Sequence, residues 1–459
     1  MTPRLLIRGA TLVTADPSLG DLAADILIEG TQIAAIGPDL AAEGAEQLDA
    51  TGCIVAPGFV NAHMHTWQTG LRGLAADWTL LRYFRAVHAG LATMFTPEDI
   101  GIATLLGARE QIDCGTTTLV DWCHANRTPA HTDAAVAALI QSGIRAAFFH
   151  GSPKPDPRPG EPHFSEIPHP RAEVERLLSG PLADRDGLVT LGLAILGPHY
   201  STMEVARADF RLAREHGLIA SMHQGGGPAQ TPGGWENLLD EGLVDASINI
   251  VHGNDLSDTL LDRLVAAGVT FSIAPEGEAT QGHGYPITNR LRARGTEPSI
   301  GVDLPSIGSA DMPSQARIAL ALARAQHNAA TREATGAIPE TSAATVRDAL
   351  GWSTLEGARA LGLADRIGSL TPGKQADLIV LRPGLSQRPV LDPVACLMLH
   401  STPAQIEHVL IAGRYVKQNG QLIAPDLDTE LAALEASGHR IARGLDAAMP
   451  AGKEPHNAG

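Results

Sequence analysis

Five residues in this chain are suited to bind a metal ion and activate water, and each follows a short apolar run. His63 and His65 come after Ile54 to Val60 as His-Met-His, and the side-chain period of two in a strand turns both imidazoles to one face. The runs Leu218 to His223 and Ile248 to His252 each end in a further imidazole, and Ser299 to Asp303 ends in a carboxylate. Neutral imidazole and carboxylate suit zinc, iron or manganese. A single histidine or aspartate at a strand end is more often a packing, hydrogen-bonding or capping residue. Five on one rim make that account improbable. His63, His65, His223 and Asp303 are then placed to share one divalent ion with a position left for water. Such an ion lowers the pKa of bound water to roughly 7, which supplies hydroxide at neutral pH. Asp303 is the expected acceptor of that water's proton, and His252 the group that polarises the oxygen or nitrogen of the group under attack.

The rim follows from the order of elements. Strand-like runs at 54–60, 116–121, 144–150, 188–195, 219–223, 248–252, 269–273 and 299–303 alternate with amphipathic segments, among them 97–113, 132–142, 205–216, 258–267 and 314–327. Strands that alternate with helices pair in parallel, and closure removes the sheet edges, so an α/β fold with a (β/α)8 TIM barrel is the economical reading. In such a barrel all strand C-termini face one pocket. Residues 151–170, with seven prolines, read as a long loop on that side. Short β-like runs before residue 57 and after residue 368 are expected to complete one small β-sandwich, since unpaired edges would invite aggregation. The expected domains are therefore a composite sandwich of 1–56 and 369–424, a barrel of 57–368, and a C-terminal helix with its tail at 425–459. Two further helices are expected within 342–360.

Composition narrows the partners. A formal net charge of −17 would repel nucleic acid or an anionic membrane, and favours a small neutral or cationic substrate. No run approaches 18 apolar residues, and no basic N-terminal region precedes an apolar core, so a cytoplasmic protein is expected. Cys53, Cys114, Cys123 and Cys396 are scattered and read as reduced thiols.

The stretch Val55-Ala-Pro-Gly-Phe-Val-Asn-Ala-His-Met-His65 resembles the first-strand motif of the amidohydrolase superfamily, in its branch of cytosine, guanine and S-adenosylhomocysteine deaminases and triazine hydrolases. Leu71-Arg-Gly-Leu74, Gly115 to Asp121, Gly197-Pro-His-Tyr200 and Gly368 to Val380 are similar to its later landmarks, so the likeness runs over nearly the whole chain. The resemblance implies one divalent ion, zinc with iron or manganese as alternatives, held by His63, His65, His223 and Asp303. It further implies a substrate-facing His252, which some members use as a ligand, and a homodimer or larger homo-oligomer. His199 and Gln224 are candidate substrate contacts.

One departure bears on the reaction. Deaminases of this branch carry His-x-x-Glu at the fifth strand, where the glutamate shuttles a proton, and here Gly226 stands at that place. Glu276 and Glu278, after the seventh strand, are the candidate substitutes as acid or base, and His283 shares their loop. The glycines at 225–227 also leave room for a bulkier substrate, with Trp67, Trp78 and Trp122 as candidate walls. The expectation is an amidohydrolase that cleaves a non-peptide carbon–nitrogen bond in a small cyclic or aryl-bearing molecule by attack of metal-bound hydroxide. One alternative is a deaminase of a purine, pterin, pyrimidine or triazine ring with a relocated shuttle. Others are hydrolysis of an ester, carbamate or carbon–halogen bond, and a non-catalytic scaffold.

Overall fold

The computed structural model describes residues 3–445. Eight parallel strands follow one another in a single sheet: Phe59–Met64, Thr116–Cys123, Arg145–Gly151, Val189–Ala194, Ala220–Gln224, Ile248–His252, Thr270–Ile273 and Ser299–Ile300. Most of their residues are buried, as strands covered on both faces require. The barrel closes between its first and last strands, where the His65 amide donates to the Asp303 carbonyl and the Asp303 amide to the His63 carbonyl, both at 2.9 Å. The seam of the barrel is thus made by residues proposed to bind the metal. This fixes three of their side chains relative to one another through backbone alone.

The run at 54–60 is two strands, not one. Ile54–Pro57 pairs antiparallel with Leu378–Leu381 in the outer sheet, and Phe59–Met64 enters the barrel. Gly58 makes the switch possible, because a Cβ there would lie 2.1 Å from the Thr117 side chain. Helices cover the barrel at 97–113, 129–142, 203–215, 258–266 and 312–335, within a few residues of expectation except for the last, which is longer at each end. The first of them starts in a capping box between Thr96 and Asp99. Two short helices, Val346–Trp352 and Leu355–Ala360, follow the barrel.

Strands from both ends of the described chain form one continuous nine-stranded sheet. Apolar residues of its N-terminal half (Ile7, Leu12, Ile26, Val55) and its C-terminal half (Leu378, Val380, Leu410) share one core. The turns at Gly30 and Gly413 meet, where a Cβ on Gly413 would lie 2.2 Å from the Gly30 carbonyl. The sheet therefore curls on itself, which gives the expected sandwich core within one hydrogen-bonded ribbon. It is joined to the barrel by Arg145, whose guanidinium grips the buried Asp377 carboxylate through Nε at 2.6 Å and a terminal nitrogen at 3.2 Å. Helix Leu427–Ala442 returns to the barrel, and Ser437 donates to Asp99 at 2.6 Å. The expected tail at 449–459 lies outside the described residues.

Candidate metal centre and catalytic chamber

The C-terminal rim brings together the four residues that sequence reasoning selected as ligands. One donor atom from each of His63, His65, His223 and Asp303 lies within 4.8 Å of all the others. Asp303 Oδ1 is 3.2 Å from His63 Nε2 and 3.3 Å from His65 Nε2, and His63 Nε2 is 3.2 Å from His223 Nε2. The Nδ1–H of His65 donates to the Trp122 carbonyl at 2.6 Å, which leaves its Nε2 as an inward lone pair. Burial lowers the His63 pKa to about 4 and that of His223 well below its ordinary value, so both are held in the neutral, ligating form. Imidazoles and a carboxylate with lone pairs turned to one point repel one another unless a cation lies between them. This donor set fits a divalent ion.

Beside it stands His252, and both His252 and Asp303 have left-handed backbone, at φ +68° and +63°. Such strain in non-glycine residues is characteristic of functional sites. His252 Nε2 is 3.9 Å from Asp303 Oδ2, and its Nδ1 is 3.1 Å from Glu278 Oε1. Glu278 is fully buried and also accepts from the Ala274 amide at 2.8 Å and Asn254 Nδ2 at 3.0 Å. Burial alone would favour neutral partners. The hydrogen bonds instead lower the Glu278 pKa and raise that of His252, which describes a charged pair.

The other predicted residues distribute unevenly. His283 lines the chamber, its ring 4.3 Å from that of His252. Glu276 is turned away and accepts from the Ser309 amide at 2.8 Å and Gln315 Nε2 at 2.9 Å. Strand alternation points Gln224 to the side opposite His223. It meets His199 Nδ1 and Asp255 at 3.0 Å and Trp235 at 2.8 Å, and lines a neighbouring cavity of about 210 Å3. Trp67 is buried against Phe95 and His124, and Trp78 lies under the Arg82 guanidinium. The space left by Gly226 is taken up, since a Cβ there would lie 2.7 Å from Leu80 and 3.1 Å from the Tyr200 hydroxyl.

Sequence reasoning missed His88, His124 and Lys154. His88 lines the chamber from a short helix, and its Nδ1 is 2.9 Å from His124 Nε2. Among the described residues His124 Nδ1, which is buried, has no hydrogen-bond partner. An orphaned lone pair costs less than an orphaned N–H, which assigns the bridging proton to His124 Nε2 and leaves His88 Nε2–H as a donor towards the chamber. His124 had a legible signal, one residue beyond a barrel strand. His88 had none.

The amidohydrolase family model matches residues 54–416. The chain belongs to the amidohydrolase family. It is 27% identical to the 5-methylthioadenosine/S-adenosylhomocysteine deaminase of Syntrophobacter fumaroxidans, over 92% of this chain and 95% of that protein. The 8-oxoguanine deaminase of Pseudomonas aeruginosa is likewise 27% identical, over 92% and 96%. Among solved structures, a zinc-bound adenosine deaminase from Xanthomonas campestris superposes with a TM-score of 0.79 at 24% identity, covering 96% of this chain and 98% of that one. Atrazine chlorohydrolase from Arthrobacter aurescens TC1, complexed with zinc, gives 0.80 at 23%, covering 95% and 100%. At these identities the structures establish the barrel and its outer sheet. This amidohydrolase, like its deaminase relatives, is a hydrolase of carbon–nitrogen bonds other than peptide bonds.

Proposed function

We propose that this amidohydrolase uses one zinc ion, held by His63, His65, His223 and Asp303, to remove an amino or substituted amino group from a small cyclic molecule. The observation that carries the reading is the convergence of those four donors beside the His252–Glu278 pair. When bound, the ion acidifies a water molecule so that hydroxide is available at neutral pH. The free Oδ2 of Asp303 is placed to take that water's proton. His252, with Nδ1–H held by Glu278, turns Nε2 towards the chamber, where its proton is placed to reach the ring nitrogen or the leaving nitrogen attached to the carbon under attack. Glu278 acts through His252, so the pair supplies the proton relay that Gly226 cannot. His88 Nε2–H offers a second donor to an acceptor on the ring.

The deaminase names of the relatives support ammonia as the leaving group, whereas the absent fifth-strand glutamate supports a larger amine. A non-catalytic scaffold fits poorly with four retained donors. Incubating zinc-loaded protein with aminated purines, pterins, pyrimidines and triazines, and in parallel with anilides, ureas and lactams, decides between these leaving groups when ammonia and amine are read separately. Turnover in neither set would defeat the proposal. Four buried free cysteines and the acidic charge support a cytoplasmic address, and among the described residues no helix is long and apolar enough to cross a membrane. Exposed Leu385, Val390 and Leu391 in one short stretch support self-association.

A further inference from the structure

The chamber at the metal centre measures about 30 Å3, the share of a single water molecule. It is the narrower of the two spaces open to a substrate on this rim. Beneath the proline-rich loop at 151–170 lies a second chamber of about 330 Å3, where Pro153, Pro155, Phe164, Ile167 and Leu196 supply apolar walls and Asp156, Glu161, His169 and Asp209 the polar ones. A dry cavity of about 150 Å3 accommodates benzene, so this one has room for a substituted aryl group.

Two residues connect the chambers. Trp122 lines the larger one, and its ring packs on that of His223 with centroids 4.3 Å apart. Its indole N–H is fixed on Ser221 at 3.2 Å. Lys154 lines both chambers, with Nζ 5.7 Å from the Trp122 ring centroid and 5.0 Å from that of Tyr200, which borders the catalytic chamber. Among the described residues the ammonium makes no hydrogen bond or ion pair. The protein holds it by two aromatic faces. The surroundings, by contrast, are tied down: the Thr202 amide donates to the Ser165 carbonyl at 3.0 Å, and the His169 amide to Asp209 at 2.8 Å.

We propose that the chamber under the 151–170 loop is the subsite for an apolar, aryl or alkyl arm of the substrate, and that Lys154 is the movable partition between that arm and the reacting group. This rests on the carbon–nitrogen hydrolase reading, and it narrows the substrate to a molecule with a polar reacting end and an apolar end larger than a methyl.

Isothermal titration of zinc-loaded protein with imidazole, 4-phenylimidazole, 1-benzylimidazole and toluene tests the subsite without turnover. Imidazole reports on the ion alone and toluene on the chamber alone. At least one arylimidazole is expected to bind about tenfold more tightly than imidazole or better. Leu196→Trp removes that gain and toluene binding but leaves imidazole unchanged, while Lys154→Ala keeps the gain and speeds association. Ile167→Trp, at an exposed position, replaces Leu196→Trp if that variant does not fold by circular dichroism. Imidazole binding with no aryl gain, or a gain undiminished in the filled variant, overturns the subsite. Absence of imidazole binding counts against the metal centre instead, and toluene then decides the chamber: bound by wild type and not by the filled variant, it upholds the subsite, and otherwise the subsite falls.

Discussion

His252 Nδ1 and Glu278 Oε1 face each other at 3.1 Å with both side chains buried, so the orientation of the imidazole beside Asp303 depends on one carboxylate. Glu276, two residues earlier, holds the Ser309 amide and Gln315 instead. The two glutamates are therefore expected to separate experimentally. Glu278→Gln lowers kcat by about 10²–10⁴-fold and alters the pH profile. Glu276→Ala leaves kcat near wild type and costs about 1–3 kcal/mol of stability through unpaired buried donors. Steady-state kinetics with denaturant unfolding of both variants checks this.

His88 is expected to act on substrate recognition. Replacing His88 with Phe removes one N–H donor from the chamber and lowers kcat/KM by about 10–100-fold, mainly through KM. His124→Phe frees the His88 tautomer and produces a smaller loss of the same kind. A kcat effect with unchanged KM in both variants would contradict the assignment.

Asp209 gives a pH dependence remote from the ligands. Burial raises its pKa from 3.8 to about 7. Between those values the folded state keeps a proton that the unfolded state has released, so stability falls as pH rises through that window. Asp209→Asn can still accept the His169 amide and has no charge to desolvate. It is expected to gain stability relative to wild type from pH 5 to pH 8, by at most about 3 kcal/mol, as read from urea unfolding at the two pH values.

Arg145→Ala breaks the grip of the barrel on Asp377 and leaves a buried carboxylate facing only the Ala412 amide at 2.7 Å. A loss of about 3–5 kcal/mol is expected, with the metal content of the folded fraction unchanged because the rim lies at the opposite end of the strands.

Periodicity made the barrel legible, since an apolar run followed by an amphipathic one recurs along the chain and tertiary packing did not have to be known. Residues at strand ends, such as His223 and Asp303, inherited their location from that pattern. The switch at Gly58 was not legible, because it depends on Thr117 lying against it in space. The same limit applies to Glu278: spacing placed it after the seventh strand, but only the partner at His252 distinguishes it from Glu276. Lys154 and His88 sit outside the alternating pattern, in a proline-rich loop and a short helix, where sequence gives no direction for a side chain. Gln224 shows the converse, as alternation from His223 would have turned it away from the ion.

The central claim is that three imidazoles and a carboxylate hold one ion. Metal analysis of wild type and of His63→Ala, His223→Ala and Asp303→Ala after zinc loading and desalting tests it directly. One equivalent of zinc per chain in wild type, and a loss of most of it in each folded variant, is the expected result. Full zinc retention in any of the three variants, or no zinc in wild type, would contradict it.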